Sequence, residues 1–337
     1  MSEIILNSPH GTARFEPTCG RLSFLRLAPR AEGLLHTAPW VFEDRTLDLP
    51  LVEQGLAGDF FCAPFGASSH APLHGWTANS AWRVRPSTGA LTARLKRQVQ
   101  GARITKTLAF ASAPALIQTH IIEDGSGPLP VAHHPMVRAA GRTWLSFSPK
   151  AYAATLPDPL ELGRNWLAPG QKAPLDGLLD RNGAPAALDA YPDVPKVEEF
   201  VVLVEADPEG LGWTAVLREG RDDMILVLKN TANLPATMLW ISNGGRDAPP
   251  WDGRHVGVLG IEDGHPPLAH GDLMPPGRAA LSLGGQLTTH HALLHLPRPK
   301  GWTHVNDITL ADDTLRVEGP LGASPLSLPL SAAALGL

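Results

Sequence analysis

The sequence has few of the features that mark secreted, membrane-spanning or disordered proteins. It contains two cysteines, Cys19 and Cys62, which are too few for a disulfide framework or a cysteine-rich zinc site. No run reaches the roughly 18 apolar residues of a membrane-spanning helix, and no secretory leader pattern opens the chain. Hydrophobic residues make up 43% and charged residues only 18% of the 337 residues, enough for a large core. We therefore expect a folded cytoplasmic protein without a membrane partner.

Positive charge is also sparse, which argues against a nucleic-acid partner. The formal net charge is −5, whereas a protein that neutralises phosphates needs a dense group of Lys and Arg. The nearest candidates are spread along two predicted strands, where we interpret them as a solvated sheet face. These candidates are Arg94, Lys96, Arg97, Arg103 and Lys106.

Helical periodicity is scarce, with short candidates only at residues 49–56 and 331–335. By contrast, 33 Gly and 33 Pro are scattered through the chain and predict many turns between short strands. Residues 103–110 alternate apolar and polar, and residues 200–204 are continuously apolar, as in a strand buried on both faces. The pattern predicts an all-β protein. It also predicts one domain over residues 1–337, interrupted by a long Pro/Gly-rich loop at about residues 155–195.

Three segments combine aromatic, ionisable and turn residues, at 58–82, 130–136 and 240–263. Sugars present C–H faces that stack on Trp, and hydroxyl groups that need several hydrogen-bond partners. The segments supply both kinds of group, so they predict a carbohydrate site. The stacking candidates are Trp76, Trp82 and Trp240, and the hydrogen-bonding candidates are His74, Asn79 and Asn243.

The first of these segments resembles the signature of aldose 1-epimerases, or galactose mutarotases. It is most similar to that of their hexose-6-phosphate epimerase relatives, which carry a Cys-x-Pro-x-Phe-Gly-like turn followed by His-Gly-Phe-x-x-Asn and a Trp. Trp76 stands here where the family has Phe. The matching residues are Cys62, Phe65, Gly66, His74, Gly75, Asn79 and Trp82.

Two later segments extend the resemblance in the same order. Residues 133–136, His-His-Pro-Met, resemble the family's Asn-His-Pro-Tyr motif, and residues 258–262 resemble the strand that ends in its catalytic glutamate. His134 follows His74 by 60 positions (134 − 74), and Glu262 follows His134 by 128 (262 − 134).

The resemblance implies a galactose-mutarotase-like β-supersandwich of two large, mostly antiparallel sheets with few short helices. It also implies an isomerase that needs no cofactor, with Glu262 as general base and His134 as general acid. A small-molecule sugar would be its partner, and the protein would be a monomer or a homodimer. The substrate-binding candidates are His74, Trp76, Asn79, Asp193, Trp240, Asn243 and Arg246.

Departures from the family pattern keep other functions open. The sugar-phosphate relatives have an arginine where this chain has Ala78, which argues against a phosphorylated substrate unless Arg246 or Arg254 replaces it. A non-catalytic sugar-binding or sensing protein and a hexose-phosphate epimerase are the alternatives. We expect no metal, because His133 and His134 are adjacent on a predicted strand and would point to opposite faces.

Overall fold

The computed structural model describes residues 3–27, 32–44 and 47–337. Within them the chain is built mainly of short strands that end at the scattered turn residues. The strands are β1 (Ile4–Ser8), β2 (Gly11–Glu16), β3 (Arg21–Leu27), β4 (Phe61–Cys62), β5 (Trp82–Ser87), β6 (Ala90–Leu95), β7 (Ala102–Phe110), β8 (Ala115–Asp124), β9 (Gly127–Leu129), β10 (Ala132–His133), β11 (Met136–Arg138), β12 (Thr143–Phe147), β13 (Lys150–Thr155), β14 (Lys172–Ala173), β15 (Val197–Glu205), β16 (Leu211–Arg218), β17 (Asp223–Asn230), β18 (Ala236–Asn243), β19 (Val258–Gly264), β20 (Leu281–Leu283), β21 (Gln286–Pro297), β22 (Asp307–Ala311), β23 (Thr314–Glu318) and β24 (Leu326–Pro329).

Helices are few and short in the described ranges. The α-helices are α1 (Leu51–Gln54) and α2 (Gly75–Asn79), and the 3₁₀ turns are Pro39–Phe42, Leu175–Gly177, Glu219–Arg221, Leu268–Leu273 and Ala332–Leu335. The predicted helical stretches at 49–56 and 331–335 therefore form α1 and a 3₁₀ turn. None of these helices has the length and apolar character required to span a bilayer.

Two eight-stranded sheets form the framework. The first, which we call the site sheet, has the order β14-β13-β15-β18-β19-β10-β4, with β11 also paired to β19. The second, which we call the back sheet, has the order β12-β16-β17-β21-β8-β7-β6-β5. All neighbouring strands within both sheets run antiparallel. The all-β, two-sheet prediction is confirmed.

The main core lies between these two sheets. Leu203 and Ile261 of the site sheet share one buried cluster with Ile104 and Val227 of the back sheet. The opposite face of the site sheet is also covered, because Phe200 and Val202 pack with Trp40, Phe60 and Phe65 in a second cluster. Burial on both faces explains why residues 200–204 are continuously apolar.

The back sheet is covered on its outer side by the C-terminal hairpin. Strands β22 and β23 of this hairpin pair antiparallel. Ile308 and Leu315 from this hairpin, together with Trp302, pack against Leu217 and Leu226 of the back sheet.

The predicted long loop connects β13 to β15. Apart from β14 and the 3₁₀ turn Leu175–Gly177, residues 156–196 have no helix or strand of their own. Tyr191 ties the loop to the site sheet by donating a hydrogen bond from its hydroxyl group to the Ser242 carbonyl at 2.9 Å.

Candidate active site

A cavity of about 300 Å³ opens on the outer face of the site sheet. This is the size range of small-molecule pockets. Aromatic and aliphatic side chains form most of its walls. The structure brings five of the predicted site residues into these walls, namely His74, His134, Trp240, Arg246 and Glu262.

Strand register places His134 directly across from Glu262. Ala132 faces Gly264, and Met136 faces Gly260, so the residue midway between 132 and 136 faces the residue midway between 260 and 264. The His134 Nε2 atom lies 3.0 Å from Glu262 Oε1, and the two residues are only 3% and 2% exposed. A Cβ at Gly260 would lie 2.9 Å from Glu262 Oε1, so a larger residue there would displace the carboxylate from its place beside His134.

His134 is held by two further contacts, one through its backbone and one through its ring. Its backbone N–H donates to the buried Asp59 Oδ1 at 3.1 Å, and its ring stacks on Phe60 with centroids 4.5 Å apart. The Nδ1 atom is buried without a hydrogen-bond partner in the described part of the chain. An imidazole and a carboxylate in direct contact on a cavity wall can exchange a proton with each other or with a bound ligand.

His74 is held in an unusual backbone conformation immediately before α2. Its φ of 62° is left-handed, and its N–H donates to the Gly66 carbonyl at 3.0 Å. Its ring lies 5.2 Å from that of His134 at a steep angle of 81°. Burial holds the pKa of His74 well below its usual range, and the positive charges of His134 and Arg246 lower it further. A neutral imidazole can both donate to and accept from a sugar hydroxyl group.

The aromatic wall is organised by a buried carboxylate. Glu198 is fully buried and accepts hydrogen bonds from Trp240 Nε1 at 2.6 Å and Ser242 Oγ at 2.9 Å. Arg246 Nε lies 3.0 Å from the same Glu198, and the guanidinium group sits 4.4 Å above the Trp251 ring. The wall therefore presents an indole surface beside an anchored cation, which suits the C–H face and the hydroxyl groups of a pyranose.

Several wall residues were not among the predicted site residues, namely Glu53, Phe65, Phe200, Trp251 and His270. Glu198, behind the wall, was also missed as a site residue. A signal for it exists, because Glu198 and Glu199 interrupt an otherwise apolar strand, and buried carboxylates require partners. Glu53 lies on a single helical turn and carries no comparable pattern.

Three predicted binding residues lie outside the cavity. Trp76 packs beneath Arg97, whose guanidinium carbon is 4.1 Å from the ring centroid. Asp193 is exposed in the loop before β15. Asn243 donates to the Val194 carbonyl at 2.8 Å. We therefore assign none of the three a contact with a ligand in this cavity.

Asn79 also points away from the cavity, into the backbone behind it. Its side-chain amide donates to the carbonyls of Leu73 at 2.7 Å and Gly75 at 2.8 Å, on either side of His74. Its Oδ1 accepts from Val52 N–H of α1 at 3.1 Å. Asn79 thus fixes the His74 turn and α1 relative to each other instead of contacting a ligand directly.

Of the two arginines that could replace the family arginine missing at Ala78, Arg246 lines the cavity and Arg254 does not. Ala78 is buried within α2, and Arg254 forms ion pairs with Glu43 and Asp252 and does not line the cavity. Arg246 lies in the wall, paired with Glu198.

A second group of potential ligand atoms lies on the inner side of the site sheet. Asp59, His133 and His291 have ligand atoms within 4.8 Å of one another. The His133 and His291 rings are nearly parallel, with an interplanar angle of 13° and centroids 4.1 Å apart. The nitrogen lone pairs lie in the planes of the two rings, and because these planes are nearly parallel and offset, the lone pairs do not converge on one ion. His291 Nε2 is also 3.2 Å from Asp263 Oδ2.

No family model and no curated protein sequence matches the chain. Solved structures match it in fold. A galactose mutarotase-like protein from Lactobacillus casei is 14% identical with a TM-score of 0.60, over 87% of this chain and 100% of that chain. A galactose mutarotase related enzyme from Lactobacillus acidophilus is 12% identical with a TM-score of 0.59, over 88% and 99%. A galactose 1-epimerase from Lactobacillus acidophilus is 12% identical with a TM-score of 0.55, over 88% and 94%. At these identities the comparison establishes the fold, a galactose-mutarotase-like sandwich.

Proposed function

We propose that the protein is an aldose 1-epimerase-like isomerase that interconverts the anomers of a free aldose by general acid–base catalysis. The observation that carries the proposal is the contact of His134 with Glu262 on the wall of an aromatic cavity. Both functional groups face the cavity and not the core, as one pair acting on one pyranose ring requires. The similarity in fold to proteins described as galactose mutarotase-like supports the same class of reaction.

The proposed chemistry opens and closes the sugar ring. Glu262 removes the proton from the C1 hydroxyl group, the C1–O1 bond becomes a carbonyl, and the bond from C1 to the ring oxygen breaks. The electron pair of that bond takes a proton from His134, which enters the cycle as imidazolium. After rotation about the C1–C2 bond the proton transfers reverse, and the ring closes to the other anomer. His74 would hold the sugar by hydrogen bonds, and Trp240 would pack on its C–H face.

The test is the rate of anomer exchange for a panel of aldoses, followed by NMR exchange or polarimetry. We expect acceleration by the wild type and a loss of roughly 10²-fold or more in His134→Ala and Glu262→Gln, the usual contribution of general acid–base catalysis. His304→Ala and Glu209→Gln, both exposed, serve as controls and keep full activity.

Two results would contradict the proposal. One is the absence of acceleration for every aldose with a correctly folded wild type. The other is retention of activity in both site variants. Sugar binding without acceleration would instead support a sugar-sensing protein on the same fold.

A further inference from the structure

One charged residue of the cavity wall has no role in the proposed chemistry. Glu53 lies in α1, is half-buried and lines the cavity. Its carboxylate has no hydrogen bond or ion pair with any residue that the structure describes. Carboxylates that are removed from water normally have partners, because desolvation without compensation is costly. The free oxygens of Glu53 are therefore available to a ligand.

The backbone that carries Glu53 is rigidly held. Its carbonyl accepts a hydrogen bond from Trp40 Nε1 at 2.8 Å, and Trp40 is 2% exposed. The preceding Val52 N–H is bound by Asn79 at 3.1 Å. Two buried side chains thus fix the turn that presents this carboxylate to the cavity, which is the organisation of a built binding site.

The charged groups of the wall are distributed unevenly between paired and unpaired positions. Glu53 and Glu262 are the wall's carboxylates, and Arg246 is its arginine. Glu262 contacts His134 at 3.0 Å. Arg246 is already compensated by Glu198 at 3.0 Å. The remaining titratable groups of the wall are His74, His134 and His270. Burial raises the pKa of Glu53, and the nearby Arg246 opposes this shift. Because Glu262 is paired with His134 and Arg246 with Glu198, a phosphate or carboxylate on the sugar would lie beside the unpaired carboxylate of Glu53.

We propose that Glu53 is a specificity-determining residue, which accepts a hydrogen bond from a sugar hydroxyl group and makes the cavity selective for uncharged aldoses. The inference deepens the proposed function and rests on it, since it takes the ligand to be a sugar. Hydroxyl groups are donors that a carboxylate pairs with well, whereas an anionic group in the same place meets charge repulsion in a partly desolvated site.

The test compares two pairs of probes that differ only in the charge at C6, namely D-galactose with D-galacturonate and D-glucose with D-glucuronate. Binding is followed by the intrinsic fluorescence of the wall tryptophans at about pH 8. We expect the wild type to bind the neutral sugar of a pair more tightly. Glu53→Gln should reduce the ratio of the uronate Kd to the neutral-sugar Kd by about tenfold, as expected when one nearby like charge is removed.

Two further variants keep the test decisive. Glu53→Asp retains the charge on a shorter side chain and should keep the selectivity against uronates even where affinity falls. Glu209→Gln removes one carboxylate from an exposed loop outside the cavity walls and should leave the ratio unchanged. Thermal unfolding of each variant shows that it is folded.

The outcomes separate this inference from the proposed catalysis. An unchanged ratio in folded Glu53→Gln, or a wild type that binds uronates at least as tightly as neutral sugars, overturns the role of Glu53 even if anomer exchange is fast. Selective binding that Glu53→Gln relaxes, without anomer exchange, supports the role of Glu53 and defeats the epimerase proposal. Failure of the wild type to bind any of the four probes overturns the inference.

Discussion

Glu198 acts on the cavity through other residues. Its carboxylate binds Trp240, Ser242 and Arg246 from a fully buried position. Burial raises its pKa, while Arg246 and its two hydrogen-bond donors oppose this shift. We expect Glu198→Gln to remove the buried charge partner of Arg246 and to lower the free energy of unfolding by about 1–3 kcal/mol. The KM for a sugar substrate should rise as Trp240 and Arg246 lose their fixed positions.

Urea unfolding and steady-state kinetics measure the two effects. Glu161→Gln is the matched control, because Glu161 is also near Arg246, at 3.7 Å, but its side chain is 42% exposed. Removing a partly exposed charge pair of this kind costs about 0–1 kcal/mol. Equal losses in both variants would show that burial of Glu198 has no special role.

At the same scale, the sequence predicts the acid–base pair and three further wall residues, His74, Trp240 and Arg246, but not the remaining wall. His134 and Glu262 stand in recognisable motifs, and strand register brings them together. Glu53 reaches the cavity from a segment with no motif, through long-range packing that a local pattern does not encode. Asn79 belongs to a motif, yet the hydrogen-bonding capacity of its amide is used by backbone groups.

Among the elements, α2 begins at a position that only glycine fits. Gly75 has a φ of 75°, and a Cβ there would lie 2.0 Å from the Ala63 carbonyl oxygen. We expect Gly75→Ala to lower the free energy of unfolding. The loss should exceed the roughly 1–2 kcal/mol that a left-handed conformation costs by itself, because the clash adds to that strain. Activity should also fall, since His74 is the preceding residue.

A matched variant separates strain from clash. Gly89 has a similar φ of 67°, but nothing lies within 4 Å of a Cβ at that position. Gly89→Ala should therefore cost only about 1–2 kcal/mol and leave activity intact. Urea midpoints give the comparison, and equal losses in the two variants would remove the clash from the explanation.

The elements themselves were largely predictable, and their arrangement was not. Alternation at residues 103–110 and the apolar run at 200–204 both lie in strands, β7 and β15, because these patterns follow directly from which faces are buried. The pairing of β10 with both β4 and β19 joins segments about 70 and 130 residues apart, and no local pattern specifies such a contact. The assignment of all 337 residues to one domain stays a prediction.

For the molecule as a whole, buried neutral histidines set the response to acid. Burial lowers the pKa of His36 and of His265 to about 4, and that of His255 to about 2. In the unfolded chain a histidine has a pKa of about 6.5. Between these values the unfolded state binds more protons than the folded state, so acid favours unfolding.

We therefore expect full stability above about pH 6.5 and a loss on the order of several kcal/mol as the pH falls from about 7 to about 4.5, because one pKa unit corresponds to about 1.4 kcal/mol. Urea unfolding across this range measures it. The loss should persist at high salt, since its cause is burial and not surface charge. A flat profile would contradict the prediction.

Two pairs of neighbours in sequence, His133 with His134 and Glu262 with Asp263, divide their side chains between the cavity and the interior. A substitution at any one of these positions alters one side of the site sheet. A one-residue insertion or deletion within β19 would exchange both sides at once, placing an interior carboxylate in the cavity and the proposed base in the core. Single substitutions can therefore alter the cavity without disturbing the core, whereas insertions and deletions are tolerated in the loops but not within β19.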